Sequence, residues 1–477
     1  MKAKRLNIKI SPCGGAVPIL KKIKEFGIPQ VIRSVLGSRK KQAKYQYADI
    51  FIAWILTTLC GGTRLDHITK LRKKLNIIPE LELKLPSHDT LGRVMKKLSS
   101  EITTVKITRN NRQTLTQKND NIILNKMLVY ASKAAHALQE DKQYTLNIDA
   151  TFIPTECRGA VRKKNLEGKI DLAKIGFNPM VCFIQDMPVF ISMRDGYANG
   201  HFEFNKCLQN SLNLLSEANI TIGRVISDAA GYNKMAFEQL HAKGIKFLVR
   251  FPMQSKMETF KSSLISCGNW RKTEIQTAKF NWDCEVGDIP YKMHDHYSIG
   301  YVSPTWRVVA MRVPVKETDI DKRIVQELNR KKLKTLAARK KLKEFAKSNN
   351  EGKWVTIGNY KYKFIITNDF EKKAEDLMVE YNKRGTTERI ISFMKNDFGW
   401  KLPPFMNMNE NTVFIIAASL ANNIFKGIVG VFKKSIPELR LNMRLREFQF
   451  VFIDVACALI KGVYEFYNTE IAYEKIM

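Results

Sequence analysis

Apolar and polar residues alternate from Tyr144 to Phe152. Tyr144, Leu146, Ile148, Ala150 and Phe152 interleave with Thr145, Asn147, Asp149 and Thr151. A period of two is that of a β-strand with one apolar face. Asn178–Gln185 and Val189–Arg194 read as two further strands, and Asp186-Met187-Pro188 between them supplies the turn of a hairpin. His201–Leu215 then carries a helical pattern, and Arg224–Ser227 is a short apolar strand. Asn233–Lys243 is a helix stopped by Gly244, and Ile245–Phe251 is another strand. Strands alternating with helices in this way describe an α/β domain with a mixed sheet.

The flanking regions have other textures. Residues 1–115 read as mostly helical and basic, with Ile19–Phe26, Tyr47–Leu59 and Asp66–Leu75 punctuated by Gly14-Gly15, Gly27, Gly37 and Gly61-Gly62. Ser87 is placed to cap a helix running through Leu91, Val94, Met95 and Leu98. Helix, break and helix with many lysines fits a DNA-reading module, or an ordinary helical subdomain. Residues 253–355 break the α/β rhythm. Trp270, Trp282 and Trp306 sit among short strand-like runs such as Tyr297–Val302 and Arg307–Val313, and the lysine-rich Arg330–Lys347 follows. We expect an inserted β-rich subdomain ending in a basic helix that either tracks DNA backbone or is simply solvated. The α/β pattern resumes at Tyr362–Thr367 and leads into one long helix from Glu371 to about Asp397. The expected organisation is therefore 1–115, a first core segment 116–252, the insertion 253–355, and a second core segment with C-terminal helices, 356–477.

Two apolar runs raise the question of a membrane. Ile50–Cys60 is too short to cross one, and Val413–Phe432 is interrupted by Asn422, Asn423 and Lys426, so both read as buried helices of a soluble protein. Lys2, Lys4 and Arg5 have no apolar stretch behind them, and no secretory signal is expected. The eight cysteines contain no C-x-x-C pair, and His294 and His296 have no cysteine partners at zinc spacing. Reduced thiols in a cytoplasmic compartment are the expectation.

Charge changes the picture more. With 79 Lys and Arg against 46 Asp and Glu, the formal net charge is +33. A polyanion is the natural partner, because cations that neutralise phosphates release condensed counterions and gain affinity without reading sequence.

Three acids stand out against that background. Asp149 lies on the polar side of its strand. Asp228 closes a short apolar strand just before Gly231, at the strand end that in open α/β sheets faces the functional crevice. The third lies in Tyr381-Asn382-Lys383-Arg384-Gly385-Thr386-Thr387-Glu388, followed by Lys395. On one continuous helix Tyr381, Arg384, Glu388 and Lys395 fall within an arc of roughly 60°. A carboxylate flanked by two cations and a phenol suits a metal and a phosphate-bearing ligand. A solvated face stabilised by i,i+4 pairs is the alternative.

This Y-x2-R-x3-E-x6-K pattern resembles the signature of the insertion-sequence transposases whose catalytic triad is D, D and E. Asn147-Ile148-Asp149-Ala150-Thr151 looks like that family's first strand, and Ser227-Asp228-Ala229-Ala230-Gly231-Tyr232 looks like its second acidic motif. After Asp228 this chain has Ala-Ala-Gly where relatives often carry Ser or Arg with Gly. Within the IS-four superfamily the branch is similar to the thirteen-eighty group, and the likeness covers residues 140–425.

The resemblance implies an RNase H-like catalytic core. It also implies two Mg²⁺ or Mn²⁺ ions on Asp149, Asp228 and Glu388, with Tyr381, Arg384 and Lys395 on DNA. Trp400 either stacks on an unpaired base at the transposon end or packs in the core against Phe398 and Pro403. The implied partners are double-stranded DNA, as terminal inverted repeats and as target, and a second copy in the DNA complex. The implied setting is a bacterial cytoplasm, without membrane contact. Two other functions fit parts of the pattern: a domesticated, non-catalytic DNA-binding protein, and an RNase H-like nuclease acting on hybrids or junctions.

Overall fold

The computed structural model describes residues 10–75, 85–109, 112–157, 160–164, 170–252, 262–263, 265–266, 269–276, 281–293, 304–314, 355–357, 360–460, 463–467, 471, 473 and 476. In chain order it opens with β1 (Ile10–Ser11) and five helices: α1 (Ala16–Glu25), α2 (Ile28–Leu36), α3 (Tyr47–Leu59), α4 (His67–Leu75) and α5 (His88–Lys97). Strands β2 (Thr103–Arg109) and β3 (Arg112–Asn119), helix α6 (Ile122–Ala134), and strands β4 (Gln143–Ala150), β5 (Ile153–Pro154), β6 (Val161–Lys164), β7 (Ile170–Phe177), β8 (Met180–Ile184) and β9 (Met187–Arg194) follow. Then come α7 (Phe204–Glu217), β10 (Thr221–Ser227), α8 (Lys234–Ala242), β11 (Lys246–Arg250), β12 (Arg271–Gln276), β13 (Asn281–Lys292), β14 (Thr305–Pro314), β15 (Val355–Ile357) and β16 (Tyr360–Thr367). The chain ends in α9 (Ala374–Lys383), α10 (Thr386–Asp397), α11 (Met408–Phe432), α12 (Leu445–Phe448), β17 (Ala456–Ile460) and β18 (Val463–Tyr467).

These elements form two compact units, Met1–Ile222 with Thr386–Met477, and Gly223–Gly385. In the first, β4, β8, β9, β3 and β2 pair in that order, each antiparallel to its neighbour. Helix α11 runs through its core. The helix has the length and apolarity of a membrane span, but 89% of its most apolar window is buried inside the protein. Its polar residues explain how. The Asn423 amide donates to Ser132 Oγ at 2.8 Å and to the Pro188 carbonyl at 2.7 Å, and the Asn422 amide donates to the Asp186 carbonyl at 3.1 Å. Buried amides need such partners, so these residues pin the helix to α6 and to the β8–β9 turn.

Local signals set several boundaries. Ser87 Oγ accepts the Thr90 N–H at 3.3 Å and starts α5. The Gln46 N–H donates to Asp49 Oδ2 at 2.8 Å at the start of α3. Gly244, at φ +68°, takes the left-handed conformation that closes α8.

The N-terminal segment departs from expectation at its end, since residues 103–119 form the β2–β3 hairpin. Their pattern is rich in Thr, Lys and Gln, with only Val105, Ile107 and Leu115 apolar, yet Thr116, Lys118 and Asn119 are buried. Lys118 is held there by Asp120 at 3.1 Å and Glu203 at 2.7 Å.

In the second unit β10 and β11 run parallel, and β11, β16, β14, β13 and β12 continue antiparallel, with β15 also on β16. The segment expected as a separate insertion is β-rich in its described part and extends this sheet. The runs Tyr297–Val302 and Arg330–Lys347 lie outside the described residues. Leu377, Met378 and Tyr381 of α9 pack with Ile226, Leu248 and Ile365 of the sheet.

The single helix expected from Glu371 to Asp397 is two helices. The Arg384 N–H bonds Tyr381 O at 3.0 Å and the Gly385 N–H bonds Asn382 O at 3.1 Å, so the i→i+4 ladder gives way to i→i+3 turns. Glycine followed by two β-branched threonines has poor helix propensity, and α9 stops there. The stripe of four signature residues on one helix face is thus corrected to two pairs on successive helices.

Candidate active site

Asp149 stands near the carboxyl end of β4, where burial alternates. Tyr144, Leu146 and Ile148 face the core, while Asn147 and Asp149 are partly exposed on the other side. Its register is fixed by pairing with Val181, and its Oδ1 accepts the Ala150 N–H at 2.9 Å. Helix α10, in the same unit, buries Ile390, Ile391 and Met394 and leaves Glu388 exposed. Lys395, about two turns further along that helix, donates from Nζ to the Phe152 carbonyl at 2.8 Å. One hydrogen bond thus ties the Glu388 helix to the backbone that follows Asp149. The far end of the helix is anchored by Asp397, a buried carboxylate taking both Arg444 nitrogens at 2.7 and 3.1 Å.

In the second unit Asp228 follows the last residue of β10. Its Oδ1 accepts the Ala230 N–H at 2.9 Å, and its Oδ2 lies 3.9 Å from the Arg384 guanidinium. Arg384 ends α9, one turn beyond Tyr381, which is 5% exposed. The ammonium of Lys363 on β16 sits 5.4 Å from the centre of the Tyr381 ring and also donates to Asn382 Oδ1.

Sequence reasoning passed over Lys363 and a further cation, Arg250, the last residue of β11. Burial pushes the Arg250 guanidinium below its ordinary value and Arg384 pushes the same way, whereas Tyr381 and Asp228 pull it back. The available signal was a basic residue closing the strand Ile245–Phe251. Its significance depends on strand pairing, which spacing does not show.

Trp400 takes the core-packing alternative rather than the stacking one. Its side chain is 0% exposed, in the core cluster with Phe398 and Phe405, so it presents no ring face to a base. Its indole N–H is buried with no hydrogen-bond partner among the described residues.

Asp149, Asp228 and Glu388 offer only carboxylate oxygens, and none is buried, since the Asp228 side chain is 41% exposed and the other two reach solvent. That donor chemistry fits a hard divalent cation such as Mg²⁺. Among the described residues no group of three or more His, Cys, Asp or Glu is itself placed to hold a metal ion. Asp149 and Glu388 belong to the first unit and Asp228 to the second.

Residues 7–462 match the family described as transposase DDE domain group 1. The chain belongs to that family. No curated protein matches this transposase-family chain. Among solved structures it is similar to the piggyBac transposase synaptic complex with hairpin DNA, at 9% identity and a TM-score of 0.38, over 91% of this chain and 76% of that one. It is also similar to the Drosophila P element transposase strand transfer complex, at 12% identity and a TM-score of 0.23, over 87% of each chain. Likenesses at that level fix neither fold nor activity, and assignment to the family rests on the match over residues 7–462.

Proposed function

We propose that the chain is a DNA transposase that cleaves at the ends of its insertion sequence and joins them to target DNA. The observation that carries this reading is that Asp149 and Asp228 each stand at the carboxyl end of a strand, in a chain of the transposase DDE family. The finer assignments belong to the same proposal. They are an RNase H-like core, the Y-R-E-K branch of the IS-four superfamily near the thirteen-eighty group, a dimer on DNA, and action in the cytoplasm without membrane contact.

In this reading Asp149, Asp228 and Glu388 would hold two divalent ions, Mg²⁺ or Mn²⁺, whose chemistry would be to activate the attacking oxygen and to stabilise charge on the leaving oxygen. The chain's other residues orient the phosphodiester. Arg384 presents a planar fork matched to two phosphate oxygens, whereas a lysine is a point charge. Lys395 holds the strand end after Asp149 through the Phe152 carbonyl, and so fixes how Glu388 and Asp149 face the substrate. Tyr381 is largely buried, and its ring packs against the sheet one turn before Arg384.

The test uses the purified full chain, Mg²⁺ or Mn²⁺, and duplexes carrying the sequences that flank its reading frame. Cleavage at repeat ends is expected. Asp149→Asn, Asp228→Asn and Glu388→Gln should each abolish it with end binding kept, because they remove carboxylate charge at nearly constant volume. Loss of Mn²⁺ binding by calorimetry should accompany each change. Binding without cleavage by the unaltered protein would replace this reading with a non-catalytic DNA-binding protein, and structure-selective cutting would replace it with an RNase H-like nuclease.

A further inference from the structure

Resting on that reading, we infer that Arg250 is a second phosphate-binding arginine of the site, set beside Asp228 to hold the phosphodiester that Arg384 contacts from the other side. Strands β10 and β11 are parallel and in register from Arg224 opposite Lys246 to Ser227 opposite Val249. One further step along both strands places Asp228 next to Arg250 at the same edge of the sheet. The pedestal is rigid. Arg250 pairs with Ile365 on its other side, the next N–H, of Phe251, bonds Phe364 O at 3.1 Å, and the Phe251 ring is wedged edge-on between Tyr232 and Tyr291.

The company of Arg250 is unusual for a partly buried arginine. Arg224, Arg307 and Arg312 of the same unit each hold a carboxylate, Asp369 at 2.7 Å, Asp288 at 2.9 Å and Glu285 at 2.5 Å. Arg250 has no such partner at ion-pair distance among the described residues. Its charged neighbours are Asp228 and the like-charged Arg384. Asp228 in turn lies 3.9 Å from the Arg384 guanidinium, so the same carboxylate faces both arginines. A cation desolvated without its own counter-charge is costly to a fold, and such placements concentrate where a ligand supplies the anion. Here the anion is a backbone phosphate of DNA, which two forked guanidiniums grip from two directions.

The experiment measures three things on full-length protein: duplex binding across a salt series, cleavage in Mg²⁺, and thermal unfolding. The probe is a labelled duplex carrying the DNA just outside the reading frame. For Arg250→Ala we expect the slope of log affinity against log salt to flatten by about one unit, with an unfolding temperature equal to or above that of the unaltered protein. Arg250→Lys, which keeps stem and charge, should retain the slope while cleavage falls about tenfold or more through misplacement of the scissile phosphate.

An unchanged slope and unchanged cleavage in both variants overturn the inference. So does a lowered unfolding temperature with an unchanged slope, which would make Arg250 a structural residue. Should Arg250→Ala fail to fold, Arg250→Lys with full cleavage overturns it as well. Failure of the underlying reading shows separately, as an unaltered protein that neither binds nor cuts these duplexes.

Discussion

Replacing Trp400 separates a buried ring from a base-stacking one, because the two roles predict opposite results. The side chain is fully buried in the core of the first unit, and its backbone N–H bonds Met394 O at 3.2 Å, at the end of the helix that carries Glu388. Trp400→Ala removes a large apolar volume and leaves a cavity, at a cost of about 3–5 kcal/mol. At roughly 2 °C per kcal/mol for a unit of this size, the unfolding temperature should fall by about 6–10 °C. Trp400→Phe should cost much less. It sheds part of the ring but also removes an indole N–H that is buried with no partner among the described residues, a group whose desolvation costs about 1–3 kcal/mol. A net loss of about 1 kcal/mol is therefore expected. Affinity for duplex or single-stranded DNA, measured well below the transition, should be unchanged in Trp400→Phe. A stacked base contributes about 1–3 kcal/mol, so a solvent-facing ring would instead give roughly fivefold or greater loss of affinity in Trp400→Ala with little change in stability. That second pattern would refute the buried assignment.

Two further predictions address the framework. Gly427 lies in α11 where an added Cβ would overlap the Ala135 carbonyl oxygen at the end of α6, so Gly427→Ala should cost about 1–3 kcal/mol in chemical denaturation, and a neutral result would mean that the helices do not approach so closely. Asp369 is held below the ordinary carboxylate range: burial raises its pKa, but the hydrogen bond from Arg224 and the backbone N–H of Lys372 lower it further. A lowered folded value means that its stabilisation is complete above the unfolded carboxylate pKa and is lost as pH falls through the folded one. Asp369→Asn should therefore destabilise the protein by about 2–3 kcal/mol at neutral pH and flatten stability against pH on the acid side; an unchanged acid limb would remove Asp369 as its source.

Strand β4 was readable because it buries one face, and β8 and β9 because they are apolar and buried throughout. The alternation around Asp149 survives as buried Tyr144, Leu146 and Ile148 against partly exposed neighbours, and Asp228 follows its strand where the apolar run ends. The β8–β9 hairpin and the stop at Gly244 were legible from turn residues alone. What hid was tertiary. The β2–β3 hairpin carries few apolar residues to announce it, and Lys118 is buried through ion pairs that a local pattern does not contain. Arg250 was visible as the end of a strand, but its neighbour Asp228 becomes visible only through the parallel register.

The signature helix makes the same point about function. Reading Tyr381, Arg384, Glu388 and Lys395 as one stripe assumed that a helical period runs unbroken through Gly385-Thr386-Thr387, and propensity argues against that assumption. The division between the two units falls at this break, between Gly385 and Thr386. The phenol and guanidinium lie in the unit that contains Asp228, and the carboxylate and ammonium lie in the unit that contains Asp149, where Lys395 bonds the Phe152 carbonyl. A motif spaced like a helix face is thus carried by two successive helices, one in each unit. Substitutions on either side of Gly385 should then fall into two classes, those that disturb the surroundings of Asp228 and those that disturb the strand end after Asp149. A single continuous stripe would give no reason for that division.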